Sequence, residues 1–181
     1  MNHRKLMNAA PQSRDSLKLE LAAEILRGFS EVRFIAQGTS MLPAIYPGDC
    51  LTVRSFGTKA PRCGDIVLCR RANEFRVHRI ASVLEKGSAK SYVLCGDALT
   101  EADPPVSAGE LLGRVTSIAS LGESFKPNSP HKAHFPFLRS IVRCSKVATV
   151  LLLRWHAMQA HVFLRAESFS ACSAEAKTEP T

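Results

Sequence analysis

The fold is decided by Ala36-Gln37-Gly38-Thr39-Ser40-Met41-Leu42-Pro43-Ala44-Ile45-Tyr46-Pro47-Gly48-Asp49. Residues 31–36, just before the turn, alternate polar and apolar, a pattern that predicts a half-buried strand. Gly38 allows a sharp turn, so the hydroxyl of Ser40 can project from the end of that strand. Pro43 and Pro47 prevent a helix or strand from continuing through the segment. The stretch therefore predicts a serine fixed between a strand and a turn.

Short strands with turn signals between them follow this segment. They are predicted at Cys50–Arg54, Ile66–Cys69, Phe75–Leu84, Tyr92–Cys95 and Leu111–Ile118. The apolar run at 66–69 indicates a strand covered on both faces, and alternation in the next strand places Phe75 and Val77 opposite Arg76, His78 and Ile80. Residues 98–108 are predicted to be an irregular loop. This spacing is typical of a mainly β fold, either a coiled sheet or a small barrel.

The ends of the chain have a different composition. We predict a flexible N-terminus (1–14), a main domain (15–120), a linker (121–136), a helix (137–165) and a disordered tail (166–181). The main domain opens with a short N-terminal helix whose apolar positions are Leu17, Leu21, Ile25 and Phe29. The C-terminal helix is predicted to be amphipathic, with one face formed by Leu138, Ile141, Val142, Val147, Leu151, Leu152 and Trp155.

The positive charge is concentrated near the C-terminus. The net charge is +8, and the stretch 126–165 contains no acidic residue and these basic ones: Lys126, Lys132, Arg139, Arg143, Lys146, Arg154 and Arg165. A basic amphipathic helix with a Trp suits the interface of an anionic membrane, although docking on the sheet or on a partner protein fits it equally. No nucleic-acid partner is expected, because the residues before the first strand are too few for a helix-turn-helix domain.

The cysteines and the hydropathy of the sequence indicate where in the cell the chain is expected. Six cysteines show neither a C-x-x-C pair nor a zinc-ligand spacing, so we expect reduced core thiols, no metal and no cofactor. No signal peptide is evident, and the uncharged apolar run at 147–153 is far shorter than the roughly 20 residues that span a bilayer. The prediction is a membrane-associated chain without a spanning helix, otherwise cytoplasmic.

Several short sequence motifs occur in a recognisable order along the chain. They are Gly38-Thr39-Ser40-Met41-Leu42-Pro43, Pro47-Gly48-Asp49, Gly64-Asp65-Ile66-Val67, Val77-His78-Arg79-Ile80, Gly96-Asp97 and Asp103. In this order they resemble the type I signal peptidase and LexA-like serine peptidase superfamily. The likeness is greatest to the archaeal and endoplasmic-reticulum signal peptidases, which have a His-Arg pair where most bacterial members have Lys-Arg. It covers roughly residues 34–118 and implies the same mainly β fold.

The resemblance also implies roles for individual residues. Ser40 would be the nucleophile and His78 the general base that accepts its proton. Asp103 matches the carboxylate proposed to orient the base, and Asp97 would hold the active-site loop; the opposite assignment stays open. The oxyanion and substrate positions would be Gly38, Thr39, Ser40 and Met41, with the Ser40 N–H and either a second N–H or the Thr39 hydroxyl as donors.

The implied function is that of a serine endopeptidase that hydrolyses a signal or leader peptide in a peptide or protein substrate. One alternative is a LexA-like regulator that cleaves itself. Another is a non-catalytic peptide-binding module on the same fold, because a fold does not determine a function.

Overall fold

The structure is a computed structural model that describes residues 20–21, 23–26, 28, 31–71, 74–87, 89–127 and 136–175. The strands are β1 Glu31–Ile35, β2 Cys50–Arg54, β3 Ile66–Arg71, β4 Glu74–Lys86, β5 Ala89–Cys95, β6 Val106–Ser107, β7 Leu111–Ser120 and β8 Glu123–Phe125. A 3-10 turn, Ala108–Glu110, precedes β7, and two helices follow the strands: α1 Pro136–Cys144 and α2 Lys146–Glu175. Residues 20, 21, 23–26 and 28 are also helical. The predicted flexible N-terminus lies outside the described residues.

The strands form one antiparallel sheet in the order β1-β2-β7-β3-β4-β5-β6, with β8 paired to β7. Across the described part of the chain this path does not close, so β1 and β6 are its edges. The mainly β prediction is confirmed, and of the two architectures considered the open sheet is the observed one rather than the barrel.

The predicted strands are present, and their burial follows the sequence pattern. Residues Ile66–Cys69 of β3 are all buried, as expected for a continuous apolar run. On β4, Phe75 and Val77 pack against one core cluster while Ile80 belongs to another. The predicted loop 98–108 contains the short strand β6, which pairs with β5 at Tyr92 and Ser91.

The larger core cluster anchors the serine turn. Its buried members are Leu26, Met41, Ile45, Leu51, Val53, Ile66, Leu68, Val115 and Ile118. Met41 and Ile45 come from the turn itself, and Leu26 comes from the N-terminal helical residues. The predicted apolar face of that helix is wrong at Leu21, which is exposed, because Ala23 and Leu26 on another side of the helix face the core.

Strand β4 changes partner partway along its length. It pairs with β3 from Glu74 to Arg79 and with β5 from Arg79 onward, with a register shift between Ile80 and Ser82. The thiol of Cys63 donates a hydrogen bond to the Ala81 carbonyl inside this irregularity. His78 and Arg79 therefore lie at the junction of the two halves of the sheet.

The C-terminal helical region differs from its prediction in three ways. The single helix expected at 137–165 is interrupted at Ser145, whose hydroxyl accepts the Ala148 N–H at 3.2 Å and caps α2. Residues 166–175, assigned to a disordered tail, continue α2, since no Gly or Pro occurs between Pro136 and Pro180. The stretch assigned to a linker contains β8, which extends the sheet beside the end of β7.

The two faces of α2 also differ from the predicted amphipathic pattern. Val142 of α1 is buried with Leu42 and Tyr46, and Leu152 and Leu153 of α2 pack against this group. Among residues 146–160 of α2, whose side chains the structure describes, the exposed large apolar ones are Val147, Val150, Leu151, Trp155 and Met158. The predicted apolar face is thus divided between a docked side and a solvent side. Among the described residues, no helix has the length and apolarity needed to cross a membrane.

Five cysteines are described, and all are free thiols. Cys69 is buried, whereas Cys63 and Cys144 are exposed, so the core interpretation is wrong for those two. Cys172 lies in a part of α2 whose side chains are outside the described structure.

Candidate active site

The serine turn is closed by backbone hydrogen bonds on both sides. The Ala36 N–H donates to the Asp49 carbonyl and the Gly48 N–H to the Ala36 carbonyl, each at 2.8 Å. The Asp49 carboxylate, which is buried, accepts the Tyr46 N–H at 2.8 Å. Leu42 is also buried, and it is joined to Pro43 by a cis peptide bond. The buried side chains of Leu42 and Asp49, together with the hydrogen bonds that close the loop, therefore fix the backbone that carries Ser40.

The side chain of His78 reaches this turn from β4. Its Nε2 atom lies 3.2 Å from the Ser40 Oγ, within the distance at which a base can take a proton. His78 is only 4% exposed, so bulk water has little access to the imidazole. The two residues are 38 positions apart in the sequence, and the fold brings them together as predicted.

Asp103 lies on the other side of the imidazole. Its Oδ2 atom is 2.5 Å from His78 Nδ1, and the Asp103 N–H donates to the Leu94 carbonyl at 2.7 Å, which returns the loop to β5. This contact favours the tautomer with the proton on Nδ1, leaving Nε2 free to accept the Ser40 proton. Arg76 Nη1 lies 3.5 Å from the second oxygen, Oδ1. Period-two alternation on β4 explains why Arg76 and His78 meet the same carboxylate.

Asp97 does not pair with the imidazole but with Arg79. The guanidinium donates from Nε to Oδ1 at 3.0 Å and from Nη2 to Oδ2 at 2.7 Å, a two-point ion pair. Asp97 is fully buried, and the remaining Arg79 group, Nη1, donates to the Gly64 carbonyl at 2.9 Å. Of the two carboxylates left open by the sequence, Asp103 is the one beside the His78 imidazole, whereas Asp97 pairs with Arg79.

The loop after β5 also touches the serine directly. The Ala98 N–H donates to the Ser40 carbonyl at 2.8 Å. A Cβ at Gly96 would lie 2.6 Å from the same Ser40 oxygen, which explains why this position has no side chain. Arg143 of α1 donates from Nε to the Asp97 carbonyl at 3.1 Å. Ser40, the loop after β5 and the C-terminal helix α1 are therefore connected by consecutive contacts.

A cleft of about 500 Å³ opens beside Ser40 and His78. It is lined by Phe34, Ile35, Ala36, Gln37, Gly38, Ser40, Met41, Ile45, Leu51, Phe75, Arg76, Val77, His78 and Leu99. Most of these side chains are apolar, and Arg76 supplies a cation at the rim. The cleft runs along β1, an edge strand, so an extended peptide can lie beside it.

The predicted oxyanion positions are only partly placed in the cleft. Gly38, Ser40 and Met41 line it, whereas Thr39 does not; the Thr39 carbonyl instead accepts the Leu42 N–H at 3.2 Å. A Cβ at Gly38 would meet nothing within 4 Å, so there is room for a substrate carbonyl beside it. Within the described residues the Ser40 N–H makes no hydrogen bond, and it is available as a donor to an oxyanion.

Other chemistry near the site is limited. Burial, with a smaller contribution from the charge of Asp103, raises the pKa of Cys69 to about 11, so this thiol stays protonated and is a poor competing nucleophile. In the described part of the chain, no group of three or more His, Cys, Asp or Glu side chains could hold a metal ion.

Three arginines complete the site and were not assigned partners from the sequence. Arg76 and Arg79 lie on either side of His78, and the alternation of β4 could have indicated that they face different ways. Arg143 could not have been found this way, because 46 positions separate it from Asp97.

A scan against protein-family models found no match to this chain, and a search of curated proteins found no significantly similar sequence.

Proposed function

We propose that this chain is a serine endopeptidase in which Ser40 is the nucleophile, His78 the general base and Asp103 the group that orients the base. The proposal rests mainly on one observation: Ser40 Oγ, the His78 imidazole and the Asp103 carboxylate form a continuous line of contacts at 3.2 and 2.5 Å beside an open cleft. The resemblance to the signal peptidase and LexA-like superfamily supports it on independent grounds.

The reaction would proceed in two stages. The Ser40 oxygen forms a bond to the scissile carbonyl carbon as His78 Nε2 takes the hydroxyl proton, and the oxyanion accepts the Ser40 N–H. The carbon–nitrogen bond then breaks, and the imidazolium returns the proton to the departing amine. In the second stage His78 Nε2 takes a proton from a water molecule as the water oxygen bonds to the ester carbon. The bond between that carbon and the Ser40 oxygen then breaks, and the imidazolium returns the proton to Ser40 as the acid leaves. Asp103 stabilises the imidazolium in both stages.

The proposed substrate is a signal or leader peptide in an extended conformation. The apolar lining of the cleft suits a segment with apolar side chains, and the edge strand β1 offers backbone groups for pairing. The substrate class comes from the resemblance, and the cleft is compatible with it.

We further propose that the peptidase acts at a membrane surface. The support is the charge distribution: from Lys126 to Arg165 every charged side chain is basic, and part of this stretch forms α1 and α2 beside the serine turn. Anionic lipid headgroups attract such a segment.

Covalent labelling by a fluorophosphonate, which reacts with activated serines, tests the catalytic part. We expect intact-mass analysis of the wild-type chain to show one adduct, located on Ser40 by peptide mapping. Ser40→Ala should not be labelled, and His78→Ala should react at least about 10²-fold more slowly, the usual contribution of a general base. Ser117→Ala is the matched control, since its hydroxyl bonds Ser124 at 2.7 Å and lies outside the cleft lining.

The same samples separate the alternatives. A folded wild-type chain that binds peptides but never forms the adduct would contradict the enzyme proposal and favour a binding module. A fragment of defined mass from wild type alone, absent from Ser40→Ala, would instead indicate self-cleavage.

A further inference from the structure

The side of α2 that faces solvent is an apolar stripe. Val147, Leu151, Trp155 and Met158 follow each other at three- and four-residue intervals, and Val150 lies beside them. All five are more than half exposed, from 51% at Trp155 to 68% at Val147. We call these five residues the outer stripe. Large apolar side chains grouped on one helix face indicate a surface that binds a membrane or another molecule.

The two charged residues in the same stretch of α2, residues 146–158, are both basic. Lys146 is exposed at the start of α2, and Arg154 is exposed within the stripe, three residues after Leu151 and four before Met158. No acidic residue occurs anywhere from Lys126 to Arg165. A long basic side chain can lie along an apolar surface with its charge at the boundary with water. The surface therefore combines apolar contact with attraction to anions.

An anionic lipid bilayer meets both requirements. Its acyl chains accept the apolar side chains, and its phosphates attract the cations. Nucleic acid would satisfy the cations but leave the stripe in water. A second copy of the chain would cover the stripe, but it would bring Arg154 and Lys146 into a surface of the same sign.

We propose that the outer stripe, with Lys146 and Arg154, binds the surface of an anionic membrane. This inference makes the membrane part of the proposed function specific, and it does not depend on catalysis by Ser40. It also replaces the face predicted from the sequence, because Val142 and Leu152 of that face are docked on the protein.

The opposite side of α2 fixes the distance between the membrane and the serine turn. The His156 ring stacks on Tyr46 with centroids 4.1 Å apart, and Leu152 and Leu153 pack against the cluster that contains Leu42. An α-helix with its side chains is about 10–12 Å across. The turn that carries Ser40 would therefore lie about one helix diameter from the bilayer surface. Ser40 would therefore reach peptide bonds that lie just outside the membrane.

Fluorescence of Trp155 provides a direct test, because it is the single Trp in the chain. The full-length Ser40→Ala chain is mixed with vesicles of phosphatidylcholine alone or of phosphatidylcholine with phosphatidylglycerol. We expect a blue shift and quenching by brominated lipid only with the anionic vesicles. Lys146→Gln combined with Arg154→Gln should weaken vesicle binding about 25-fold, from roughly fivefold for each cation removed.

Two control variants match these changes. Lys59→Gln removes an exposed cation elsewhere, and Leu84→Gln removes an exposed apolar side chain from β4. Neither should change vesicle binding, whereas Leu151→Gln with Met158→Gln should reduce it at least tenfold. Equal binding to neutral vesicles, no binding to either kind, tighter binding to an oligonucleotide, or a dimer in sedimentation that Leu151→Gln with Met158→Gln dissociates would overturn the proposal. Because labelling of Ser40 is measured separately, its absence would leave this result unaffected.

Discussion

The loop that follows β5 presents two carboxylates to β4, one at each end, and the two have different partners. At the start of the loop, Asp97 is fully buried and pairs at two points with the Arg79 guanidinium, which has N–H donors and no acceptor. At its end, Asp103 is partly exposed and contacts His78, an imidazole whose two ring nitrogens can donate or accept a hydrogen bond. Neighbouring residues on a strand face opposite ways, so His78 and Arg79 cannot share one carboxylate. We therefore expect the Asp97–Arg79 ion pair to support the structure and the Asp103–His78 contact to serve the proposed proton transfer.

The largest expected effect is on reaction rate at the Asp103 end. Asp103→Asn should slow fluorophosphonate labelling of Ser40 by about 10²- to 10⁴-fold, because the amide can hold the imidazole in the wrong tautomer. Urea unfolding should show little change in the free energy of unfolding, since Asp103 is partly exposed. If labelling stayed at the wild-type rate, the assignment of Asp103 would be wrong.

The next effect is on stability at the Asp97 end. Asp97→Asn leaves the Arg79 guanidinium, whose side chain is only 18% exposed, without its counterion, so we expect the free energy of unfolding to fall by about 3 kcal/mol, the lower end for a broken buried pair. Urea titration followed by circular dichroism measures this, with Asp103→Asn as the matched variant. Equal losses in the two variants would remove the distinction between the regions.

A smaller effect is expected where the loop meets the serine. Gly96→Ala would place a Cβ 2.6 Å from the Ser40 carbonyl, so the backbone must shift, at a cost of about 1–3 kcal/mol in unfolding free energy. Labelling of Ser40 should slow as well. Gly109→Ala is the control, since its Cβ would meet nothing within 4 Å and unfolding should be almost unchanged.

The smallest effect concerns the link to α1. Arg143→Ala removes the donor to the Asp97 carbonyl, and we expect a loss of about 1.5 kcal/mol, typical of a hydrogen bond from a charged group. Arg154→Ala on the exposed face of α2 should change the unfolding free energy by less than about 0.5 kcal/mol. Thermal melts of both variants would show whether the helices support the loop; matching melting temperatures would contradict that link.

The sequence predicted the strands and their buried faces well, because these depend on local patterns of apolar residues. Alternation located β4 and the faces of His78 and Phe75, and a continuous apolar run marked β3 as buried. The choice between Asp97 and Asp103 was different, since it depends on the loop returning to Leu94, a contact that no periodicity encodes. The docked face of α2 could not be chosen either, because apolar residues such as Leu151 and Leu152 occur on both sides of the helix.

The residues of the candidate site come from two separate parts of the sheet, so these parts can move apart without global unfolding. His78 and Asp103 both belong to the β4–β5 hairpin and the loop that follows it, whereas Ser40 arrives from β1 at the far edge of the sheet. A partial opening that detaches the Ser40 turn would leave the imidazole and its carboxylate joined. Under the proposed mechanism such a form would be inactive, and closing the turn again would restore the arrangement without refolding of the sheet. The Ala98 amide, which is bonded to the Ser40 carbonyl, should report this opening by deuterium exchange faster than the Asp103 amide.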